Sequence, residues 1–235
     1  MDLDTLKRLN AARQAREAAI LITNTATGDE RLVLEKDGYD GDLQQDEIAA
    51  RFRSGKSGMV KVEEGGDLFF TVSVPPPRLV VIGAVHISQA LVPMARIAGF
   101  DVTIIDPRTA FASDDRFPDV PLFAEWPDEV LPRIGLDRFT ALAALTHDPK
   151  IDDGAIAAAL DAGCFYVGAL GSRKTHAKRV ERLAAAGVGG AALGAIHAPI
   201  GVDIAAQSPA EIAVAILAQV IAALRRRGMS DEAAA

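Results

Sequence analysis

Apolar and polar positions along the chain follow two rhythms, and the change falls at a triple proline, Pro75-Pro76-Pro77. Before it, apolar residues come in strand-length groups that predict strands over 18–24, 31–35, 58–62 and 68–74. The last of these, LFFTVSV, has the β-branched and aromatic content that suits a pleated surface. Asp37-Gly38, Asp40-Gly41 and Gly65-Gly66-Asp67 supply turns, a charged helix opens the chain, and 46–54 has helical spacing. Residues 1–74 therefore read as a small α+β domain, and 75–77 as a stiff linker that cannot continue a ladder.

After the prolines, strand-length apolar runs at 79–82, 102–105, 120–123, 139–145 and 164–167 alternate with helical patterns at 87–98, 153–162 and 172–186. A Gly/Ala-rich loop at 187–194 and a turn-rich loop at 196–204 lead to a last helix at 209–226, with no internal repeat anywhere. This alternation predicts a parallel sheet covered on both faces, an α/β fold with a Rossmann-like doubly wound sheet over 78–228. The tail at 229–235 is predicted to be disordered.

Composition narrows the function. A net charge of −7 argues against non-specific contact with nucleic acid or an anionic membrane surface. No apolar run approaches the roughly 18 residues that span a bilayer, and the charged start lacks the apolar core of a secretory signal, so the expected location is cytoplasmic. One cysteine, Cys164, excludes an internal disulfide or a thiolate metal cage, and its apolar surroundings read as those of a packed thiol.

In doubly wound sheets ligands bind beyond the carboxyl ends of the strands, so the loops there hold the candidate chemistry. The first is Gly83-Ala84-Val85-His86-Ile87-Ser88, where Val85 and Ser88 stand at the second and third glycines of a G-x-G-x-x-G dinucleotide turn. Val85 puts a branched side chain where a pyrophosphate would rest, which disfavours NAD(P). His86 reads either as a ligand-facing imidazole or as a solvated helix-start residue. Asp106, before Pro107 and Arg108, reads either as an acceptor for a ribose diol or as a turn residue.

Thr146-His147-Asp148 follows directly on an apolar strand, a placement suited to a general base or a ligand contact. The strongest anion site is the Gly-rich turn ending in Gly171 and Ser172, which opens a helix whose first turn adds Arg173 and Lys174. Lys178, Arg179 and Arg182 continue this basic stripe and read as a solvated helix face. His197 and Asp203 frame a further loop, Ser208-Pro209-Ala210-Glu211 is a structural capping box, and Asp152-Asp153 read as helix-start acids rather than metal ligands.

Five motifs, GAxHxxxAL, VTIIDPRxxFASxxRFP, LTHDxKxDDxA, YVGALGSRKTHAKRxERL and IHAPIGxDIxAxSPxEIAxAILA, resemble the C-terminal Rossmann-type domain of the XdhC/CoxI family, over roughly 79–223. That resemblance implies an accessory protein for molybdenum hydroxylases of the xanthine or carbon monoxide dehydrogenase type. It would be a cofactor chaperone rather than an enzyme turning over a metabolite. It implies binding of molybdenum cofactor, support of its sulfuration by a cysteine desulfurase, delivery to the apo-hydroxylase, and a homodimer. The phosphate of molybdopterin suits the Gly171–Lys174 turn, with His86, His147 and His197 lining the same cleft. Family turns usually read G-A-G-H-V-G, and the family's N-terminal domain often carries a Gly-rich segment with a cysteine. No such segment precedes Pro75, so a thiolate hand-off of sulfur is not expected of this chain. An NAD(P)-dependent oxidoreductase with a degenerate turn, or a scaffold without ligand, stays open as an alternative.

Overall fold

The computed structural model describes residues 2–62 and 65–226, in two compact units that part between Pro75 and Pro76. In the first unit, helix α1 (Leu3–Gln14) precedes strands β1 (Ala19–Asn24) and β2 (Glu30–Leu34), helix α2 (Gln45–Ser54), and strands β3 (Gly58–Val60) and β4 (Leu68–Ser73). The strands form an antiparallel sheet in the order β2-β1-β4-β3. Central β1 is buried from Ala19 to Ile22 because both its faces are covered. Leu9 and Ala12 of α1 lie against Ala19 and Leu34, while α2 buries Ile48 and Phe52 against β1 and β4.

The second unit runs β5 (Arg78–Ile82), α3 (His86–Ile97), β6 (Asp101–Ile105), β7 (Leu122–Phe123), α4 (Pro127–Ile134), β8 (Thr140–Ala144) and α5 (Pro149–Asp161). It continues with β9 (Tyr166–Ala169), α6 (Arg173–Ala185), α7 (Gly190–Gly194), β10 (Ile196–His197) and α8 (Pro209–Arg226). All six strands are parallel, in the order β10-β9-β8-β5-β6-β7, so the winding direction reverses between β5 and β8. This is the doubly wound Rossmann order, which opens a crevice at the reversal.

Alternation along β5 feeds two cores: Leu79 and Val81 join the α3 and α8 layer, and Val80 and Ile82 the α4, α5 and α6 layer. The small side chains of Ala141 and Ala143 on β8 belong to the first of these. Helix α8 is pinned to β9, because Gln219 Oε1 accepts both from Tyr166 Oη at 2.7 Å and from Gly201 N at 2.8 Å. Its start is the expected capping box: Glu211 Oε2 accepts from the Gln207 and Ser208 amides, and Ser208 Oγ accepts from Glu211 N.

Several elements differ from the sequence expectation. Helix α5 begins at Pro149, four residues before 153, because Asp148 caps it by accepting from Lys150 N at 2.9 Å and proline is at home in the first helical position. Strand β9 starts at Tyr166, two residues after 164, since Cys164 N still closes the preceding turn on Ala159 O. Helices α4 and α7 and strand β10 form where no element, a loop and a loop were expected. The tail at 229–235 lies outside the described residues.

Gly168 has no room for a side chain: a Cβ there would sit 2.5 Å from Tyr166 Oη and 2.6 Å from the Ile200 side chain. Gly168→Ala is expected to cost about 2 kcal/mol in urea denaturation, by displacing Tyr166 from Gln219.

Candidate functional site

The crevice at the reversal is built from four loops that touch in series. β5 leads into Gly83, whose φ of +119° only glycine adopts without strain, and a Cβ there would lie 2.9 Å from Thr146 Cγ2 and 3.3 Å from Thr146 N. The next amide, Ala84 N, donates to Asp106 Oδ2 at 2.8 Å, tying the β5 turn to the end of β6. Ser88 stands where the dinucleotide turn has its third glycine. It is fully buried, and its hydroxyl donates back to Gly83 O at 2.5 Å. Arg116 closes the turn from outside, donating to Ala84 O at 2.8 Å and Phe111 O at 2.7 Å.

Asp106 has no exposed surface, and all four acceptor positions of its carboxylate are filled. Oδ1 accepts from Arg108 N and Nε, and Oδ2 from Ala84 N and Arg108 Nη2, at 2.7 to 3.0 Å. Burial pushes its pKa up, but these four bonds and the Arg108 charge outweigh it and hold the carboxyl below the ordinary value of 3.8. No acceptor is left for a ribose hydroxyl. The Arg108 guanidinium, held by Asp106, lies 4.6 Å from the Phe111 ring centroid and in the field of Asp148 and Asp152 as well as Asp106.

At the end of β8, His147 takes a left-handed conformation, φ +62°, which costs a non-glycine residue about 1 kcal/mol or more. Its neighbours hold it there: Thr146 Oγ1 donates to Asp152 Oδ1 at 2.7 Å and accepts from Asp148 N at 3.1 Å. His147 meets the third loop, since a Cβ on Gly171, at φ +133°, would lie 3.7 Å from His147 Nδ1. Partial burial, then the nearby Arg179 charge, lower the His147 pKa, so the imidazole is uncharged at neutral pH.

Helix α6 opens at this point. Ser172 Oγ accepts from Thr175 N at 3.2 Å, while the other first-turn amides have no partner four residues back, and Arg173 and Lys174 are exposed beside them. In the basic stripe beyond, Lys178 and Arg182 are exposed as expected, but Arg179 is not. Arg179 is 2% exposed and donates from Nη2 to Leu170 O at 3.0 Å, and Arg182 is held by Asp153 at 2.6 Å. Arg179 points back along the helix toward its start and stiffens the β9 loop from behind.

Of the three histidines expected in one cleft, the structure joins His147 to the Gly171 turn and leaves His86 exposed at the start of α3. His197 lies on β10 beside Gly168 and stacks on Tyr166 with ring centroids 4.7 Å apart, and burial lowers its pKa. Asp152 lies in the first turn of α5 as expected but is 1% exposed, and burial, against the Thr146 bond and Arg179, raises its carboxyl to about 6. Among the described residues no group of three His, Cys, Asp or Glu side chains could hold a metal ion. Nor is any of their helices long and apolar enough to cross a membrane. Arg116 escaped the sequence reading and Arg179 was read as solvated, because their partners lie on other loops; the signal for them was their place in the FASxxRFP and GSRKTHAKR motifs.

Asp106→Ala is expected to destabilise the protein by about 3 kcal/mol, leaving Ala84 N and Arg108 without their shared acceptor. Because the folded pKa of Asp106 is depressed, its contribution is complete above pH 4 to 5 and is lost as pH falls below the unfolded value of 3.8. Urea titrations from pH 3 to 7 should show a shallower acid limb in Asp106→Asn than in the natural protein.

The XdhC Rossmann domain family matches residues 79–220, which contain all four crevice loops. A Bacillus subtilis protein described as a probable xanthine dehydrogenase component is 29% identical over 161 residues, covering 68% of this chain and 47% of its own length. The molybdenum cofactor insertion chaperone PaoD of Escherichia coli is 30% identical over 146 residues, covering 62% of this chain and 40% of its own length. The uncharacterized protein YqeB of Escherichia coli is 29% identical over 158 residues, 28% of its length, so the chain spans less than half of each of these relatives. A crystal structure of a xanthine dehydrogenase from Bacillus halodurans shares the fold, with a TM-score of 0.64 at 24% identity over 96% of this chain and 66% of that one. With the family match covering more than half of the chain, this protein belongs to the XdhC Rossmann domain family.

Proposed function

We propose that this chain is an accessory factor that holds molybdenum cofactor as cargo and assists its sulfuration and insertion into a molybdenum hydroxylase of the xanthine or carbon monoxide dehydrogenase type. The observation that carries this reading is the first turn of α6, where backbone amides, Arg173 and Lys174 meet the crevice beside an uncharged His147. An anion is stabilised by such a helix start, and the protein's overall charge of −7 makes this local concentration of cations the more selective. The cargo brings a phosphate on a pterin that carries the metal. The chain's part is to bind the phosphate at Gly171, Ser172, Arg173 and Lys174 and to offer Arg108, His147 and Asp148 along the crevice. The names of the Bacillus subtilis and Escherichia coli relatives support the same role.

A dinucleotide fits less well. The acid at the end of β6 has no free acceptor, and Val85 puts a branched side chain where the second glycine of a dinucleotide turn would let backbone approach the pyrophosphate. Sulfur is supplied by a partner, a cysteine desulfurase, because burial and the neighbouring Asp137 push the Cys164 thiol up to about 12. The client is an apo-hydroxylase, and the protein works in the cytoplasm as a homodimer without turnover of its own.

Arg173→Ala with Lys174→Ala should weaken binding of a phosphate-bearing pterin roughly tenfold while leaving the urea midpoint unchanged. Equal affinity in the double variant rejects this seat. Cys164→Ser should leave sulfuration of the cargo by a desulfurase at its natural rate, and labelling of Cys164 by a disulfide reagent at pH 7.5 should be roughly a thousandfold slower than that of an ordinary thiol. A large loss of sulfuration in Cys164→Ser would instead make the chain a sulfur carrier.

A further inference from the structure

Within the described residues of the second unit, four buried side-chain polar atoms lack a hydrogen-bond partner, and they lie on three residues: Oδ2 of Asp152, Nε and Nη1 of Arg179, and Nδ1 of His176. Arg179 acts electrostatically on both of the others, with His176 one turn before it on α6 and Asp152 in the first turn of the neighbouring α5. The acid and the guanidinium are 99% and 98% buried, yet no ion pair joins them. The nearest carboxylate to Arg179 is Asp153, with Oδ1 3.9 Å from Nε, and Asp153 is already engaged by Arg182.

Each buried donor or acceptor left unmet costs about 1 to 3 kcal/mol, and four together would rival the whole stability of a domain. A partner for these atoms must accept from Arg179 and donate to Asp152. An oxyanion does the first and is repelled by the second, whereas water does both and needs only the two to four polar partners present here. We propose that Asp152, Arg179 and His176 enclose an interior hydration site, and that the water held there couples the protonation of Asp152 to His147 and His176.

The coupling has a structural route. Asp152 Oδ1 holds Thr146, and Thr146 holds the amide of Asp148, so Asp152 positions the left-handed turn that presents His147. The charged and titratable groups around Asp152 are Asp153 on its own helix, His147 and Asp148 before it, His176, Arg179 and Arg182 on α6, and Arg108 beyond β6. A folded carboxyl raised to about 6 keeps a proton that the unfolded chain has already lost, so stability is greatest below 3.8 and declines as pH rises through 6. Asp152 thus ionises near neutral pH, within reach of the crevice.

The test uses the full chain without cargo and is independent of the cargo reading. In the natural protein, nuclear Overhauser spectra should show long-lived water against the Arg179 Nε proton. In Asp152→Asn, the ring-nitrogen titrations of His147 and His176 should both move to lower pH, by a few tenths of a unit or more, because an anion that favours imidazolium is gone. No water at Arg179, or a direct Asp152 to Arg179 ion pair in a crystal, overturns the hydration site. Unmoved titrations in a folded Asp152→Asn overturn the coupling. Should the variant not fold, the natural protein decides both halves: the water signal decides the site, and ring-nitrogen shifts of His147 and His176 that fail to follow the Asp152 carboxyl titration overturn the coupling.

Discussion

The end of β5 comes so close to the end of β8 that a single Cβ on Gly83 would collide with Thr146, and the crevice depends on that approach. It forces the β5 turn to lie flat over the reversal in strand order, which puts Ala84 N within reach of the acid ending β6. The same approach fixes Thr146 between Asp152 and Asp148, and with it the backbone of His147. A ligand at this edge meets parts already fixed by contacts between loops, which lowers the ordering it must impose on binding.

Two buried aspartates in this region show how hydrogen-bond supply, rather than depth, sets charge. Asp106 and Asp152 are 0% and 1% exposed, yet one is held below the ordinary carboxylate range and the other raised to about 6. Asp106 receives four donors, three of them from Arg108, and stays charged as a structural tie. Asp152 accepts one side-chain hydrogen bond, from Thr146, has only the weaker pull of the Thr146 and His147 backbone amides besides, and faces an arginine it does not touch. The fold therefore loses no stability to the first and carries a cost for the second, the pattern expected when a group serves a site rather than the core.

Much of this was legible in the chain. The alternation of apolar runs from Leu79 onward predicted the parallel sheet, and the capping signals at Ser172 and Ser208 marked real helix starts, because such signals act within a few residues. Short elements were not legible: two-residue β10 and five-residue α7 owe their form to neighbours that complete them. At the site, Gly83, Asp106, His147 and Gly171 stood out as unusual residues after strands. The reading failed where a residue's partner was distant, as with Arg116, which reaches 32 residues back to Ala84, and Arg179, which a polar helix disguised as solvated. His197, which the resemblance placed in the cleft, lies on β10 beside Gly168 and stacks on Tyr166.

Equilibrium binding of the purified protein to molybdenum cofactor, with NAD and NADP titrated under the same conditions, tests the central claim most directly. Tight binding of the molybdenum cofactor with no measurable dinucleotide affinity is the result predicted by the filled Asp106 carboxylate and the α6 anion seat. Selective binding of a dinucleotide, or of neither ligand, would contradict it.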